Sequence, residues 1–320
     1  MKNLNEIKAS VAIPVYNEQR SLRDFLECLL SQTLKPDEII FCDGGSSDKT
    51  LSILRQYQDN NPTIKIVNRD GVCRGAGRNS AIESSKNDFV ALIDVGNLPV
   101  NNWLELLVEE IIENSDIEVV YGAVCPQQDN LISKSLSSFI LGRRNHNQLL
   151  DRSVASMIIK KEAWRKAGKF PQSDDGSYVV EDLRFLEKLE ALGLKTTNKQ
   201  SALTNWGLPE SYVEIYKRFF NLNLGSHKNG YSKLLLKGIL RNYAICFLML
   251  LASALVNMFF LFLIPIFLFF RVYSYHRFNM WFKESNFYEK SSHLITGIFV
   301  FSVIDMASIN SFLSARFYQE

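Results

Sequence analysis

The sequence is poor in the residues from which disulfide frameworks and histidine-based metal sites are built. It contains five cysteines and four histidines in 320 residues. The cysteines are scattered, odd in number and never spaced as Cys-x-x-Cys, so we expect reduced thiols rather than disulfides or a zinc site. The histidines are widely spaced, which argues against a histidine-rich metal centre.

A strong overall charge is also lacking. The net charge is only +2, so no global positive field indicates a nucleic-acid partner. The polar N-terminus has no apolar core behind it, and we expect no signal peptide. With 47% apolar and 22% charged residues, the chain has the composition of a folded protein. Its length allows one large domain with an appendage, or two domains.

The first 125 residues alternate between apolar, strand-like runs and helical patterns. The predicted strands lie at 10–15, 38–42, 64–67, 88–93 and 118–124. The predicted helices lie at 21–31, 48–57, 75–85 and 101–113. Successive βα units of this size predict an α/β fold with a right-handed, doubly wound, mostly parallel sheet.

Carboxylates follow three of the predicted strands. They are Glu18, Asp43, Asp48 and Asp94. Because the carboxyl ends of parallel strands share one edge of a sheet, we expect these side chains to lie together. Such a cluster suits a nucleotide with a divalent cation better than a bare anion.

The next part of the chain has a weaker pattern. The pattern predicts a loop or short helices at 126–152. It predicts a strand that runs into a helix at 153–164. A flexible stretch is predicted at 171–177, followed by a helix at 179–193 that ends at Gly193.

The run from Asn242 to Phe270 contains 29 residues without a charge. As one helix it would be about 43 Å long, against a hydrocarbon core of roughly 30 Å, so a single tilted span is possible. Asn257 and Pro265 also permit a kinked or re-entrant hairpin. The alternative is a pair of buried helices in a soluble protein.

Basic residues lie on both sides of this run, which favours both ends on the cytosolic face. They are Lys233, Lys237 and Arg241 before it, and Arg271, Arg277 and Lys283 after it. A second apolar segment, 294–309, is short and contains Asp305. We expect it to be interfacial, or packed on the first segment, rather than an independent span.

Five motifs, taken in order, resemble the inverting glycosyltransferases of family 2, which have the GT-A fold. They are VAIPVYNE at 11–18, FCDGGSSDKT at 41–50, GAGRNSAI at 75–82, ALIDVGNLP at 91–99 and VEDLRF at 180–185. The resemblance covers about residues 8–225. It implies a GT-A domain at 1–225, with a nucleotide-sugar-binding half at 1–125 and an acceptor half at 126–225. Membrane-associated helices would follow at 226–320.

Several residue types in these motifs fit contacts to a nucleotide-sugar donor. The first strand-to-helix turn contributes Pro14, Tyr16 and Glu18. Glu18 could instead only favour the helix dipole. Asp43 can accept hydrogen bonds from a base or from ribose hydroxyls. Its alternative is a helix N-cap, a role that fits Ser47 or Asp48 better.

Two arginines are candidates for the donor diphosphate. Arg78 opens a helix that should point at the site, and a guanidinium there can pair with a diphosphate. The alternative for Arg78 is a salt bridge to one of the site carboxylates. By the resemblance, an arginine-aromatic cluster follows the base, which makes Arg218 a second candidate. Otherwise Arg218 belongs to a juxtamembrane basic patch.

Asp94 is the predicted metal ligand. The family usually has Asp-x-Asp here, but Gly96 replaces the second carboxylate and Asn97 follows it. Mg²⁺ often needs only one or two carboxylates and takes its other ligands from phosphates and water. Asp94, with the Asn97 amide oxygen, would then hold Mg²⁺ or Mn²⁺. The alternative is that metal dependence is weak or lost.

The resemblance implies that Asp182 is the general base that deprotonates the acceptor hydroxyl. Glu181 would contact the acceptor or orient the preceding loop. The alternative is that both acids only favour the helix dipole. The signature of processive synthases is absent, so we expect one sugar per encounter.

These features together predict a function. We expect inverting transfer of one sugar from a nucleotide-sugar donor to a hydroxyl of a glycan or lipid-linked acceptor. The setting would be the cytoplasmic face of the membrane, in cell-surface polysaccharide synthesis. Two alternatives stay open: a polyprenyl-phosphate sugar synthase, and a non-catalytic nucleotide-binding scaffold.

Overall fold

The computed structural model describes residues 6–142, 149–172, 180–228 and 232–317. The chain divides into two compact units. The first comprises 1–126 and 149–207, and the second comprises 127–148 and 208–320. The predicted domain boundary at 225 therefore falls inside a helix of the second unit. Most of the flexible stretch predicted at 171–177 lies outside the described residues.

The described residues of the first unit form a nine-stranded sheet. Its strands are β1 Ala9–Val15, β2 Glu38–Asp43, β3 Ile64–Asn68, β4 Phe89–Leu92, β5 Asn97–Pro99, β6 Val119–Pro126, β7 Leu150–Asp151, β8 Met157–Lys160 and β9 Thr196–Trp206. With numbering that runs through both units, its helices are α1 Leu22–Leu30, α2 Thr50–Asn60, α3 Arg74–Ser84, α4 Trp103–Glu113, α6 Lys161–Lys166 and α7 Glu181–Ala191. The predicted α/β class is confirmed.

The strand order is β3-β2-β1-β4-β8-β6-β9-β5, with β7 paired to β6. Parallel pairing joins β3, β2, β1 and β4, as predicted. Beyond β4 the sheet is mixed, because β8 is antiparallel to both β4 and β6. The long strand β9 was not predicted, since its first half is polar and mostly exposed and it has no continuous apolar run.

Alternate residues of the central strands pack into two cores, one on each face of the sheet. Val11 and Ile13 face α1 and α4, whereas Ala12 faces α3, α6 and α7. Burial on both faces explains why β1, β2 and β4 are nearly continuous apolar runs. The register aligns Val15 with Asp43, so β1 and β2 end together at the carboxyl edge.

The second unit is helical. Its helices are α5 Leu131–Leu141, α8 Tyr212–Lys228, α9 Ser232–Leu255, α10 Leu263–His276, α11 Met280–Glu284 and α12 Phe287–Phe317. Three stretches have the length and composition of membrane spans: Lys237–Leu255, Met258–His276 and Phe287–Ala315. The C-terminal region is therefore of the membrane-associated type that the sequence predicted.

The apolar run does not form a single helix. It breaks after α9, where the Asn257 side chain accepts a hydrogen bond from the Phe259 N–H and begins a 3₁₀ turn. Pro265 lies in the first turn of α10, where its missing N–H leaves no helical bond unmade. Helices α9 and α10 contact each other, so the chain turns back between them. The hairpin alternative is the one the structure adopts.

The second apolar segment is longer than predicted and belongs to α12. Its Asp305 is buried and forms a bidentate ion pair with Arg271 of α10, at 2.5 and 2.9 Å. The predicted packing of this segment on the first is confirmed. The expectation that it would not be an independent span is not, because Phe287–Ala315 has the length and composition of a membrane span.

Candidate active site

The turn after β2 is closed by the Asp43 carboxylate. Its Oδ2 accepts hydrogen bonds from the N–H groups of Gly45 and Ser46, at 3.1 and 3.0 Å. Its Oδ1 accepts from Ser46 Oγ at 2.6 Å. Gly45 has φ of +90°, a conformation that favours glycine. Asp43 is buried and serves the turn itself, and its predicted contact with base or ribose stays a prediction.

Asp48 is not the N-cap of α2, which is Lys49, but its carboxylate still binds the start of that helix. Its Oδ1 accepts from the N–H of Thr50, the first residue of α2, at 2.9 Å. Its Oδ2 accepts from the Gln19 N–H at 3.2 Å. The carboxylate therefore ties the start of α2 to the turn after β1.

The three donor contacts predicted around the turn after β1 differ in how exposed they are. Pro14 packs toward α3, where a Cβ on Gly77 would lie 3.4 Å from the Pro14 Cβ. Tyr16 is 61% exposed and offers its ring to solvent. Burial raises the pKa of Glu18, whose carboxylate accepts from Ser21 Oγ at 2.9 Å. Only Tyr16 is openly available to a ligand.

Arg78 lies at the centre of the site. Its Nη2 donates to both carboxylate oxygens of Asp94, at 2.8 Å each. Its Nη1 donates to Asp182 at 2.5 Å and to Glu181 at 3.3 Å. The structure thus joins α3, the loop after β4 and the start of α7. Asp94 and the pair Glu181 and Asp182, which lie far apart in the sequence, therefore bind the same arginine.

This geometry favours the alternative role that was left open for Arg78. The guanidinium is only 1% exposed and packs 5.4 Å from the centroid of the Phe170 ring. Both of its terminal nitrogens are engaged by carboxylates, so it presents no open fork to a diphosphate. The salt-bridge alternative, rather than the diphosphate contact, describes Arg78 in this structure.

Two neighbours of Arg78 in the motif fix α3 against the chain before α7. Asn79 Nδ2 donates to the Phe170 carbonyl at 2.9 Å. Its Oδ1 accepts from Trp164 Nε1 and the Phe170 N–H, at 3.1 and 3.0 Å. A Cβ on Gly75 would lie 2.3 Å from the Pro171 carbonyl oxygen. Neither of these roles was predicted from the motif at 75–82.

The charges around Arg78 divide the carboxylates into two kinds. Burial alone would raise the pKa of Asp94, but the positive charges of Arg78 and Arg74 hold it below its usual value. The Asp182 side chain is 41% exposed, yet the surrounding protein removes enough water to raise its pKa to about 6. Arg78 opposes that rise, while Glu181 and Asp94 add to it. Asp94 is thus a fixed anion, and Asp182 exchanges its proton near neutral pH.

The residues present fit one divalent cation held mainly by Asp94. The Asp94 side chain is 20% exposed, and a carboxylate has about four lone-pair positions, of which Arg78 takes two. Asn97 Oδ1 is buried and has no hydrogen-bond partner among the described residues. Within those residues, no group of three or more His, Cys, Asp or Glu side chains would hold a metal alone. Substrate phosphates would have to complete the coordination.

Arg218 lies on α8 in the second unit. Its contact with the donor stays a prediction.

Comparison with known proteins identifies the family. Residues 10–167 match the model of Glycosyl transferase family 2, and this part of the chain belongs to that family. It is 31% identical to the chondroitin synthase of Pasteurella multocida over 116 residues, which cover 36% of this chain and 12% of that protein. It is 27% identical to glycosyltransferase AglE of Haloferax volcanii over 174 residues, covering 51% of this chain and 55% of AglE.

A solved structure shows the same fold. It is the mannosyltransferase PcManGT from Pyrobaculum calidifontis, solved in complex with GDP-Man and Mn²⁺. The TM-score is 0.53 at 16% sequence identity, covering 94% of this chain and 87% of that one. The predicted GT-A fold is confirmed.

Proposed function

We propose that this protein transfers one sugar from a nucleotide-sugar donor to an acceptor hydroxyl and inverts the anomeric carbon. One observation carries the proposal. Arg78 joins Asp94, on the loop after β4, to Asp182, at the start of α7. A fixed anion that suits a donor's cation therefore lies beside a carboxylate that can accept a proton. Family membership and the glycosyltransferase names of the relatives support this function.

In the proposed reaction, Asp182 accepts the proton of the acceptor hydroxyl as that oxygen attacks the anomeric carbon. The bond from this carbon to the donor's diphosphate oxygen breaks, and the nucleoside diphosphate leaves from the opposite face. With a pKa of about 6, Asp182 is mostly ionised at pH 7 and still strong enough as a base. Glu181, which also contacts Arg78, would contact the acceptor or orient Asp182.

A divalent cation, Mg²⁺ or Mn²⁺, would be held by Asp94, with Asn97 beside it. When bound, it would stabilise the negative charge that develops on the leaving diphosphate. PcManGT was solved with Mn²⁺ and GDP-Man, which supports a cation of this kind. Arg78 keeps Asp94 ionised and directed toward the site.

We further propose that the protein works at the cytoplasmic face of a membrane on a lipid-linked glycan acceptor, in cell-surface polysaccharide synthesis. The three apolar helical stretches support membrane association. Basic residues at both ends of the α9–α10 hairpin favour the cytosolic side for these ends. They are Lys237 and Arg241 in the first half of α9 and Arg277 just after α10.

The decisive experiment compares wild type with Asp182→Asn in a sugar-transfer assay, using detergent-solubilised protein and nucleoside diphosphate binding in parallel. Loss of transfer with binding retained supports the proposal. Transfer to a polyprenyl phosphate that is insensitive to the substitution would favour the phosphate-acceptor enzyme, because a phosphate needs little deprotonation. Binding without turnover under any metal would favour the scaffold.

A further inference from the structure

Arg74 is an exposed cation on the same helix face as Arg78. It is the first residue of α3, four positions before Arg78, and residues with this spacing lie one above the other on a helix. Since α3 follows β3, it starts near the carboxyl edge of the parallel strands. Arg74 thus lies one turn, about 5–6 Å, closer to that edge than Arg78. Arg74 is exposed, whereas Arg78 is buried.

Three carboxylates from three different segments interact with Arg74. They are Glu18 in the turn after β1, Asp94 after β4, and Asp182 at the start of α7. These electrostatic interactions, together with the position of Arg74 at the start of α3, put its charge near the opening that the three segments surround. Arg74 is therefore placed at the entrance of the site, while Arg78 lies beneath it.

A donor diphosphate needs such a cation. It brings negative charge into a site that already contains Glu18, Asp94, Glu181 and Asp182. Arg78 cannot neutralise it, because its terminal nitrogens are held by Asp94, Glu181 and Asp182. With Gly96 in place of the second metal-motif carboxylate, a cation has one fewer protein ligand. A guanidinium from the protein would then carry more of the diphosphate's charge.

We propose that Arg74, and not Arg78, binds the diphosphate of the nucleotide-sugar donor and stabilises it as the leaving group. This proposal rests on the proposed function and adds a binding residue to it. Arg74 offers a planar fork of N–H donors that matches two phosphate oxygens at once. On binding, its interaction with the three carboxylates is exchanged in part for one with the diphosphate.

The test compares variants of the protein for their binding of ligands with two, one or no phosphates. Binding of UDP, UMP and uridine, and of GDP, GMP and guanosine, is measured by calorimetry on the full-length protein, with Mn²⁺ and with EDTA. Arg74→Gln is compared with wild type, with Arg74→Lys and with Arg23→Gln. Arg23 is a matched control, because it is an exposed arginine of α1 that bonds Gln56.

For the base that wild type binds, Arg74→Gln should weaken the diphosphate about 10- to 100-fold and the nucleoside less than twofold. Arg74→Lys should recover part of the loss, and Arg23→Gln should match wild type. The proposal is wrong if Arg74→Gln keeps the diphosphate affinity within twofold, or weakens nucleoside and diphosphate equally. Wild type that binds none of these ligands would instead overturn the proposed function, and this proposal with it.

Discussion

Arg78 holds both carboxylate oxygens of Asp94 at 2.8 Å through one nitrogen, while its other terminal nitrogen contacts Asp182 at 2.5 Å. Asp94 and Asp182 are 88 residues apart in the chain, one in the loop after β4 and the other on α7. A single buried cation therefore makes the position of one dependent on the other. The predictions below follow from this arrangement and from the α9–α10 hairpin.

Removing the Arg78 charge should destabilise the first unit. Arg78→Gln leaves Asp94, Glu181 and Asp182 close together without their shared counter-ion. Breaking a buried ion pair by removing one partner typically costs about 3–5 kcal/mol. Because Asp182 and part of Asp94 are exposed, we expect the lower end of that range. Urea unfolding of wild type, Arg78→Gln and Arg78→Lys measures it.

Arg78→Lys should recover part of the lost stability but little of the activity, because an ammonium cannot bridge two carboxylates as a planar fork does. Arg23→Gln again serves as the control for removing an exposed charge. Unchanged stability in Arg78→Gln would mean that the cluster contributes nothing to the fold.

The pH dependence of transfer should show an acidic limb near pH 6. Asp182 has a raised pKa of about 6, so lowering the pH through this value protonates the base and transfer falls. Above it, Asp182 is ionised and the rate reaches a plateau. The measurement is kcat/KM for transfer between pH 4.5 and 8, together with nucleoside diphosphate binding over the same range.

Asp182→Asn should lower kcat by about 10²- to 10⁴-fold and remove this limb from the residual rate. Glu181→Gln is the neighbouring control, since it alters the same cluster without removing the proposed base. A limb near pH 6 that persists in Asp182→Asn would assign the titration to another group.

The effect of Mn²⁺ on nucleoside diphosphate binding should depend on Asp94. Asp94→Asn should abolish the extra thermal stabilisation that Mn²⁺ gives to the nucleoside diphosphate complex, because the carboxylate is the main protein ligand. Gly96→Asp restores the family's second carboxylate. No atom lies within 4 Å of the added Cβ, although φ at Gly96 is +91°, so the substitution strains the backbone without a clash.

We expect Gly96→Asp to bind Mn²⁺ more tightly with the nucleotide, at some cost in stability. Gly96→Asn has the same backbone strain without the charge and is its control. A Mn²⁺ effect that survives in Asp94→Asn would place the cation elsewhere.

The sequence predicted the parts of this molecule that depend on local patterns. The buried runs of β1, β2 and β4 indicated a parallel sheet, and the order of the motifs predicted that Asp94 and Asp182 belong to one site. The pattern could not show how Arg78 is used. A guanidinium at that position can bind either phosphate or carboxylate, and the outcome depends on where α7 brings Glu181 and Asp182.

Strand β9 escaped prediction, and helix α5 was predicted only as part of a loop or short helices, for a related reason. Strand β9 is mostly exposed and polar along its first half, so it carries no strand-like apolar run. Helix α5 buries four serines, and its inward face therefore does not look apolar. In both cases tertiary packing supplies what the local sequence does not show.

The two ends of the α9–α10 hairpin should lie on the same side of the membrane. Each arm has a 19-residue candidate span, which corresponds to about 28 Å of helix and is close to the hydrocarbon thickness. Contacts between α9 and α10 hold the two arms together. Around Asn257, the side chains of Leu255, Val256 and Phe259 are exposed and apolar, so they should contact lipid at the far end of the two spans.

Labelling with a membrane-impermeant maleimide measures this arrangement in oriented vesicles. Single cysteines replace Lys237, Asn257 and Arg277 in a chain whose five native cysteines are substituted. Positions 237 and 277 should react from the same side. Position 257 should not react from that side until detergent is added, which also serves as the control for its reactivity. Reaction of positions 237 and 277 from opposite sides would contradict the hairpin, because its two ends would then lie on opposite sides of the membrane.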